Sequence, residues 1–329
     1  MLQAQKIDVL KFLSSTILSL SIALILATPT TAQFEGAKVH DWGIVGGALT
    51  ARVIYTIKKS KFETSTPFRG RGIPDIFWFD RNTIGNSSYK AAHVSDGFLY
   101  TSIGGMTFGG IHAKQGWYLG LQTMAVTDLT NLLLKNIVRR RRPFTYSAST
   151  EDLDLTNCKK YDAHDYDASL SFYSGHTAQV AAFSYFTLSM LYYTSSSFQD
   201  GGNDWAYVIG GTIPSITAYL RIRAGKHFPT DVAVGYLAGA AAGYLIPKWH
   251  RDKSEVGSTS KLDDKMGIAL LSGAGSGILL ALAAKIAGKP KHNCIPGESD
   301  AALKQASKVN FSIKPHVGVS SGLRMTLQF

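Results

Sequence analysis

The chain has 329 residues, of which 45% are hydrophobic and 17% charged, so it can bury a sizeable core and wholesale disorder is excluded. Its formal net charge of +11 favours anionic partners such as phosphorylated metabolites, lipid headgroups or nucleic acid. A nucleic-acid reader is not expected, because the sequence has no zinc-finger spacing, no basic recognition helix and no repeat.

Residues 1–32 have the features of an export signal. Lys6 and Lys11 supply a positive start, and Phe12–Ala27 is apolar apart from serine and threonine. Small residues then precede Gln33, as at a cleavage site. The alternative is an uncleaved membrane anchor, although the apolar run is short for a span. We therefore expect an exported protein of the bacterial periplasm or cell envelope, with membrane association left open.

The two cysteines, Cys158 and Cys294, bear on the same question. Export would place them in an oxidising compartment, where they could form a disulfide. Their number permits such a bond without demanding it.

Apolar segments of helical length dominate the rest of the chain. The predicted helices are Ala37–Lys58, Gly97–Ala113, Gln115–Val138, Thr177–Tyr193, Trp205–Leu220, Asp231–Ile246 and Met266–Ala284. Between the first two, Asp75–His93 is polar and aromatic with turn residues, which predicts a loop. Residues 144–170 are acidic and poor in aliphatic side chains, which is typical of a covering loop, or lid. A polar linker, Lys248–Lys265, precedes the last apolar segment.

The C-terminal residues 308–329 alternate apolar and polar side chains. Leu323, Met325, Leu327 and Phe329 would share one strand face, and Gly318–Gly322 suits a turn. We therefore predict a mainly α-helical bundle with a short C-terminal β-hairpin.

Lys135 and Arg142, the latter followed by Pro143, form the first candidate motif. Residues seven apart on a helix lie about two turns apart on one face, so both cations could reach one anion. Arginine offers a planar fork for two phosphate oxygens, and lysine offers a point charge. Taken alone, a run of four arginines is more typical of a solvated or membrane-facing basic patch.

Ser174, Gly175 and His176 form the second motif, directly before a predicted helix. A helix start presents unpaired N–H groups and the positive end of the helix dipole, which suit phosphate, and glycine allows close approach. His176 could then give or take a proton. Helix capping by serine also explains this sequence.

Arg221, His227 and Asp231 form the third motif. Pro229 fits the first turn of a helix, so the carboxylate of Asp231 could fold back toward His227. A carboxylate that holds one imidazole nitrogen fixes the tautomer and frees the other nitrogen as a nucleophile. An acidic residue at a helix start beside a surface histidine would account for this segment equally well.

In this order, the three motifs resemble the signature of the type 2 phosphatidic acid phosphatase (PAP2) and vanadium haloperoxidase superfamily. That signature reads Lys-x6-Arg-Pro, then Pro-Ser-Gly-His, then Ser-Arg-x5-His-x3-Asp, and the resemblance covers Gln115–Ile246. It implies a helical bundle in which the helix ends that bear the motifs converge. The chain then divides into a signal peptide (1–32), an N-terminal helical and loop region (33–114), a PAP2-type catalytic core (115–250), a linker with an apolar helix (251–307) and the hairpin (308–329).

Two residues depart from the signature. Tyr173 stands where the family has proline, and Leu220 stands where it has serine. The first alters the approach to a helix and the second removes a hydroxyl, but neither removes a charge or a proton carrier. We therefore expect altered activity rather than an inactive site.

The resemblance implies a hydrolase of phosphate monoesters that works through a phosphohistidine. His227 would attack phosphorus, Asp231 would orient it, and His176 would protonate the leaving oxygen and then activate water. The residues that would hold the non-bridging oxygens are Lys135, Arg142, Arg221, Ser174 and Gly175. No metal or other cofactor is expected, because these cations neutralise the phosphoryl group, and vanadate should bind as an inhibitor.

Two other functions fit part of the pattern. A vanadium-dependent haloperoxidase would bind vanadate with the same residues, but the lack of long insertions favours the phosphatase. A non-enzymatic phosphate- or lipid-binding envelope protein would leave the His227–Asp231 pair unexplained. The expected partner is a phosphorylated lipid or a small phosphorylated molecule, and the sequence does not distinguish between them.

Membrane insertion is the last open question. Met266–Ala284 is uncharged and carries a Gly-x-x-x-Gly pattern, which is typical of helix contacts in membranes. Asp128 and Asn131, within a predicted core helix, would be costly in lipid. We therefore favour an exported helical domain that associates with a membrane over one that spans it.

Overall fold

The structure is a computed structural model, and it describes residues 34, 37–62, 76–111, 116–146, 166–199, 203–251, 259–288, 310–316 and 322–328. The predicted signal segment lies outside the described residues, as do Cys158 and Cys294. Export and disulfide formation therefore stay predictions.

The described residues form eight α-helices and one pair of strands. The helices are α1 (Val39–Phe62), α2 (Tyr89–Ile111), α3 (Gly116–Val138), α4 (Gly175–Thr194), α5 (Ser196–Gln199), α6 (Asp204–Arg223), α7 (Pro229–Trp249) and α8 (Thr259–Ala287). Single 3-10 turns cover Arg81–Thr83, Pro143–Tyr146 and Tyr166–Ser169. The predicted fold class, mainly α-helical, is confirmed.

Helix α2 begins earlier than the sequence predicts. Its first residue is Tyr89, whereas we expected a loop as far as His93 and a helix from Gly97. Ser88 explains the difference, because its Oγ accepts a hydrogen bond from the N–H of Ala91 at 3.3 Å and so caps the helix start. The polar first turn has no apolar periodicity from which this start could be recognised.

Helix α8 also begins earlier, at Thr259, inside the predicted polar linker. Asp263 in its second turn pairs with the Nζ of Lys248 on α7 at 2.7 Å, which fixes this charged turn beside α7. Among the described residues, Lys261–Ile286 is the one segment long and apolar enough, by length and composition, to cross a membrane, and little of its most apolar part is buried.

Helix α4 forms the centre of the bundle, and most of its side chains are buried. The backbone of α7 lies directly against the backbone of α4, because glycines occupy the contact positions on α7. A Cβ at Gly239 would lie 1.9 Å from the carbonyl oxygen of Ala178, and a Cβ at Gly243 would lie 2.1 Å from that of Ala182. The hydroxyl of Tyr236 on α7 donates to a backbone carbonyl of α6 at 2.9 Å, which adds α6 to this core.

The two strands, β1 (Asn310–His316) and β2 (Gly322–Gln328), pair antiparallel with Ile313 opposite Met325. The turn predicted over Gly318–Gly322 thus falls where the chain passes from β1 to β2.

Four helix ends meet at one end of the bundle. The N–H of Ser174 donates to the carbonyl of Asp231 at 3.0 Å, which joins the starts of α4 and α7. The N–H of Phe144 donates to the carbonyl of Gly225 at 3.2 Å, which joins the segments that follow α3 and α6. The three sequence motifs therefore converge, as predicted.

Candidate active site

Arg142 reaches this convergence from a loop and not, as we predicted, from the same helical face as Lys135. Helix α3 ends at Val138, and Arg139 has a positive φ of 46°. Pro143 accounts for part of the difference, because proline disfavours helical geometry in the residue before it. Lys135 lies in the last turn of α3.

The guanidinium of Arg142 is buried and held by several partners. Its Nη2 donates to both carboxylate oxygens of Asp167, at 2.9 and 2.8 Å. Its Nη1 donates to the carbonyl of Lys226 at 2.9 Å and lies 3.3 Å from the Nε2 of His227. Asp167 belongs to the acidic segment that we predicted as a lid. Residues 147–165 of that segment lie outside the described residues, so the lid itself stays a prediction.

His227 is fully buried in the loop between α6 and α7. Its Nδ1 lies 2.7 Å from the carbonyl oxygen of Ser171. Because a carbonyl can only accept, Nδ1 carries the proton, and Nε2 keeps a lone pair that accepts from Arg142. The loop reaches this position through Gly225, where φ is +66° and a Cβ would lie 1.7 Å from the carbonyl oxygen of Asn86.

Asp231 does not hydrogen-bond the imidazole of His227, contrary to our expectation. Its Oδ2 lies 3.9 Å from the Nδ1 of His227, an ion-pair distance that is too long for a hydrogen bond. The same oxygen accepts from the Oγ of Ser171 at 2.5 Å and from the N–H of Phe228 at 2.9 Å, because Asp231 caps the start of its own helix. Ser171 thus connects the two residues: its carbonyl holds the imidazole and its hydroxyl holds the carboxylate.

Arg140 and Asp80 extend this network, and neither was predicted. The Oδ1 of Asp231 pairs with the Nη1 of Arg140 at 2.6 Å, and the Nη2 of Arg140 pairs with Asp80 at 2.7 Å. Asp80 also accepts from the N–H and the Oγ1 of Thr230, at 3.1 and 2.7 Å. The guanidinium lies 4.0 Å from the ring centroid of Phe228, within the range of a cation–π contact. The sequence does not distinguish Arg140 from the other three arginines of its run, and Asp80 lies in a segment without a motif. Neither residue could therefore be predicted.

The second motif forms the start of α4. Ser174 is buried, and its Oγ accepts from the N–H of Thr177 at 3.4 Å and lies 2.9 Å from the Oγ1 of that residue. This hydroxyl therefore caps the helix. The N–H groups of Gly175 and His176 have no hydrogen-bond acceptor within the part of the chain that the structure describes, and they form the positive end of the α4 dipole. A Cβ at Gly175 would lie 2.9 Å from the Oδ1 of Asn131, so a larger residue here would displace that side chain.

The two departures from the signature take part in packing. The hydroxyl of Tyr173 lies 2.8 Å from the Oγ1 of Thr130, and its carbonyl accepts from the Nδ2 of Asn131 at 2.8 Å. Both partners belong to α3, so Tyr173 ties the approach to α4 to that helix. Leu220 is half-buried and packs against a small cluster of alanines, two of them on α2.

His176 and Arg221 contact one carboxylate, that of Asp96 on α2. The Nε2 of His176 lies 2.9 Å from the Oδ1 of Asp96, and the Nη1 of Arg221 lies 3.8 Å from it. Arg221 also donates to the Oγ of Ser95 at 3.2 Å. Asp96 could not be predicted from the sequence, because it lies on α2 and belongs to none of the three motifs.

The cations change the ionisation of their neighbours. Desolvation, together with the guanidinium of Arg142, lowers the pKa of Lys135 to about 7. Desolvation and the positive charges of Arg142, Arg221 and Lys135 hold the pKa of His227 well below its usual range, so this imidazole is neutral. Burial raises the pKa of Asp231, and its paired guanidinium opposes that shift. The result is a neutral imidazole among positive charges, which suits a bound phosphate dianion.

Within the described ranges, no three His, Cys, Asp or Glu side chains come together as metal ligands. The cations and N–H groups named above are suited to holding an anion.

Among known proteins, the similarity that carries information is to one family. The family model of the PAP2 superfamily matches residues 116–255, a stretch that contains all three motifs but neither Asp80 nor Asp96. A crystal structure described as the first transmembrane PAP2 type phosphatidylglycerolphosphate phosphatase from Bacillus subtilis is similar at 18% identity. That alignment covers 72% of this chain and 96% of the other, with a TM-score of 0.37, and a likeness this distant carries no conclusion. No curated protein matches the sequence.

Proposed function

Because residues 116–255 belong to the PAP2 superfamily, we propose that the protein hydrolyses phosphate monoesters through a phosphohistidine intermediate. Membership of this family supports a phosphatase activity in general. The environment of His227 is the observation that supports the specific chemistry. Its Nδ1 proton is held by the carbonyl of Ser171, and its Nε2 lone pair lies beside the guanidinium of Arg142. A neutral, oriented imidazole next to a phosphate-binding cation is the arrangement that nucleophilic attack on phosphorus requires.

In the first step, the Nε2 lone pair of His227 attacks phosphorus. The bond from phosphorus to the alcohol oxygen breaks, its electron pair stays on that oxygen, and His176 supplies a proton to it. The imidazole becomes positively charged when Nε2 is phosphorylated. The carbonyl of Ser171 and the carboxylate of Asp231, 3.9 Å away, stabilise that charge.

In the second step, water attacks the phosphorus of the phosphohistidine. His176, now neutral, takes a proton from the water, and the nitrogen–phosphorus bond breaks with its electron pair returning to Nε2 of His227. Inorganic phosphate leaves, and both histidines return to their initial protonation states.

The cations and the start of α4 would stabilise the charge on the non-bridging oxygens. Arg142 and Arg221 are held in place by Asp167 and Asp96, respectively, so they need little reorganisation in the transition state. The N–H groups of Gly175 and His176 add oriented dipoles. We propose that these groups make a metal ion unnecessary, so activity should persist in excess chelator.

We also propose that the substrate is a lipid phosphate and that the protein associates with a membrane. Phe77, Trp78 and Phe79 are exposed by 64%, 77% and 39%, and the ring centroid of Phe79 lies 5.7 Å from that of Phe77 and 5.3 Å from that of Trp78. The next residue, Asp80, is bound to Arg140 in the site network. An apolar surface therefore begins one residue from the site, where the tail of a lipid could lie.

Helix α8 supports the same proposal. Leu271 and Leu279 are among its large exposed apolar side chains. An apolar helix with so little buried surface is typical of a segment that contacts lipid.

The proposal is tested by phosphate release from the purified full-length chain in detergent micelles. We expect His227→Ala and His176→Ala each to lower turnover by about 100-fold or more, because each removes a proton carrier or the nucleophile. A short pulse of labelled substrate should leave acid-labile phosphate on the wild type and none on His227→Ala. Near-wild-type turnover by folded His227→Ala protein would contradict the assignment.

The effect of vanadate distinguishes a phosphatase from a haloperoxidase. We expect competitive inhibition of phosphate release, because the trigonal bipyramid of vanadate mimics the transition state. Bromide oxidation in the presence of peroxide and vanadate, without any phosphate release, would instead indicate a haloperoxidase.

A further inference from the structure

Asp96 faces His176 across the site from a helix that carries none of the three motifs. The Oδ1 of Asp96 lies 2.9 Å from the Nε2 of His176, and both side chains are 29% exposed. The same oxygen lies 3.8 Å from the Nη1 of Arg221. Helix α2 thus brings one carboxylate to two residues of the site.

This contact defines the tautomer of His176. An ionised carboxylate can only accept a hydrogen bond, so Nε2 of His176 carries a proton. The other nitrogen, Nδ1, makes no hydrogen bond to any residue that the structure describes. When the imidazole is neutral, Nδ1 is therefore the basic nitrogen, and when it is protonated, Nδ1–H is the acid.

The other charges around His176 oppose its protonation. Arg221 on α6 and Lys135 on α3 are cations, and the positive end of the α4 dipole is at His176 itself. Desolvation and Arg221 lower the pKa of His176 to about 4, while the hydrogen bond and the charge of Asp96 act in the opposite direction. Asp96 is thus the acidic side chain that favours the imidazolium against these cations.

We propose that Asp96 is a positioning residue for proton transfer: it holds Nε2 of His176 and stabilises the imidazolium, so that Nδ1 delivers the proton to the leaving oxygen. In that step the Nδ1–H bond breaks with its electron pair staying on Nδ1, and the alcohol oxygen gains the proton as its bond to phosphorus breaks. In the hydrolysis step, Nδ1 takes the proton back from water. This inference rests on the proposed phosphatase function.

The competing role for Asp96 is structural, namely to fix the guanidinium of Arg221. The two roles differ in their dependence on the leaving group. A nitrophenolate leaves readily without a proton, whereas an alkoxide needs one. Loss of proton transfer therefore lowers the turnover of alkyl phosphates far more than that of nitrophenyl phosphate. Loss of phosphate binding lowers activity on both substrates equally.

The test compares turnover of p-nitrophenyl phosphate, phenyl phosphate and butyl phosphate by wild type, Asp96→Asn and Asp96→Glu. We expect Asp96→Asn to lose about 100-fold or more in kcat on butyl phosphate and less than about tenfold on p-nitrophenyl phosphate. Asp96→Glu should recover part of the loss, because it restores a carboxylate. Asp263→Asn is the matched control, since it removes a carboxylate paired with Lys248 away from the site, and it should match the wild type on all three substrates.

Equal losses on the three substrates, or a loss confined to KM, would overturn the role of Asp96 in proton transfer. If Asp96→Asn does not fold, the dependence of Asp96→Glu on the leaving group decides in the same way. A wild type that releases no phosphate from any of the three, nor from phosphatidate in mixed micelles, would overturn the phosphatase itself, so the two failures are distinguishable.

Discussion

Arg140 is the residue on which the charge balance behind His227 depends. It neutralises two buried carboxylates at once, those of Asp231 and Asp80. Buried carboxylates that lose their partner are strongly destabilising, whereas removing both members of a pair costs less. The contribution of this network to stability can therefore be measured by removing its members singly and together.

We expect Arg140→Gln to lower the free energy of unfolding by about 3 kcal/mol, because it leaves two carboxylates buried without a countercharge. The double variant Arg140→Gln with Asp80→Asn should be less destabilised than the sum of the two single variants, with a coupling of about 1–3 kcal/mol. Denaturant unfolding of the four proteins measures both quantities. Arg139→Gln is the control from the same arginine run, since this neighbour is exposed, and strict additivity of the two single effects would contradict the network.

Lys135 gives the site a predictable response to pH. Its lowered pKa of about 7 means that it is charged below pH 7 and loses its charge as the pH rises through that value. Sulfate keeps its charge over the same range, so its competitive inhibition constant should increase above pH 7 in the wild type. Lys135→Arg stays charged and should remove this increase. Lys248→Arg, in the exposed pair with Asp263, is the control, and an inhibition constant that is flat with pH in the wild type would refute the expectation.

At the level of elements, the contact between α4 and α7 positions both the start of α4 and the helix that follows His227. Gly239 allows this contact, since a Cβ there would lie 1.9 Å from the carbonyl oxygen of Ala178. The two helices cannot take a side chain at this position without separating, and their N-termini would move with them.

We expect Gly239→Ala to lower the free energy of unfolding by about 2–3 kcal/mol through overpacking and to lower phosphatase activity as well. Gly275→Ala is the matched control, because a Cβ there has nothing within 4 Å, and alanine in a helix interior should stabilise by about 0.5–1 kcal/mol. Thermal unfolding followed by circular dichroism compares the two. If Gly239→Ala melts no earlier than Gly275→Ala, the close packing of α4 on α7 is wrong.

The elements were more predictable than the contacts between them. Apolar segments and local helix-start signals indicated α3, α4, α6 and α7, because those signals lie within a few residues of each other in the sequence. The start of α2 was missed because Ser88 begins a polar turn. The direct His227–Asp231 hydrogen bond was wrong because Ser171, which lies 56 residues before His227, occupies the space between them. The position of Ser171 depends on how the folded chain packs. It cannot be predicted from the four-residue spacing of His227 and Asp231.

At the level of the whole molecule, the excess positive charge of the chain does not carry over to the site. Arg140, Arg142 and Arg221 are each paired with a carboxylate from another part of the chain. These carboxylates hold the guanidinium groups in fixed positions, so the cations would need little reorganisation when an anion binds. The remaining positive charge of the protein can act at longer range, on an anionic membrane surface.

The exposed aromatic triplet predicts a preference between lipid and soluble substrates. We expect Phe77→Ser combined with Trp78→Ser to lower activity on phosphatidate in mixed micelles by about tenfold or more, because two apolar anchors are lost. Activity on p-nitrophenyl phosphate should change little. Trp205→Ser, at an exposed tryptophan on α6, is the control, and parallel losses on both substrates would count against a lipid-binding role for the triplet.

The carboxylates of Asp80 and Asp96 have a consequence for any attempt to transplant this site. A shortened chain that starts at residue 116 would keep every motif residue and the whole of the family-matched stretch. It would lose the partner that Asp80 gives to Arg140 and the one that Asp96 gives to His176 and Arg221. Arg142 would keep Asp167 and Arg140 would keep Asp231, but His176 and Arg221 would lose their shared carboxylate. The smallest portable unit of this site therefore has to include residues 80–96 together with the motifs.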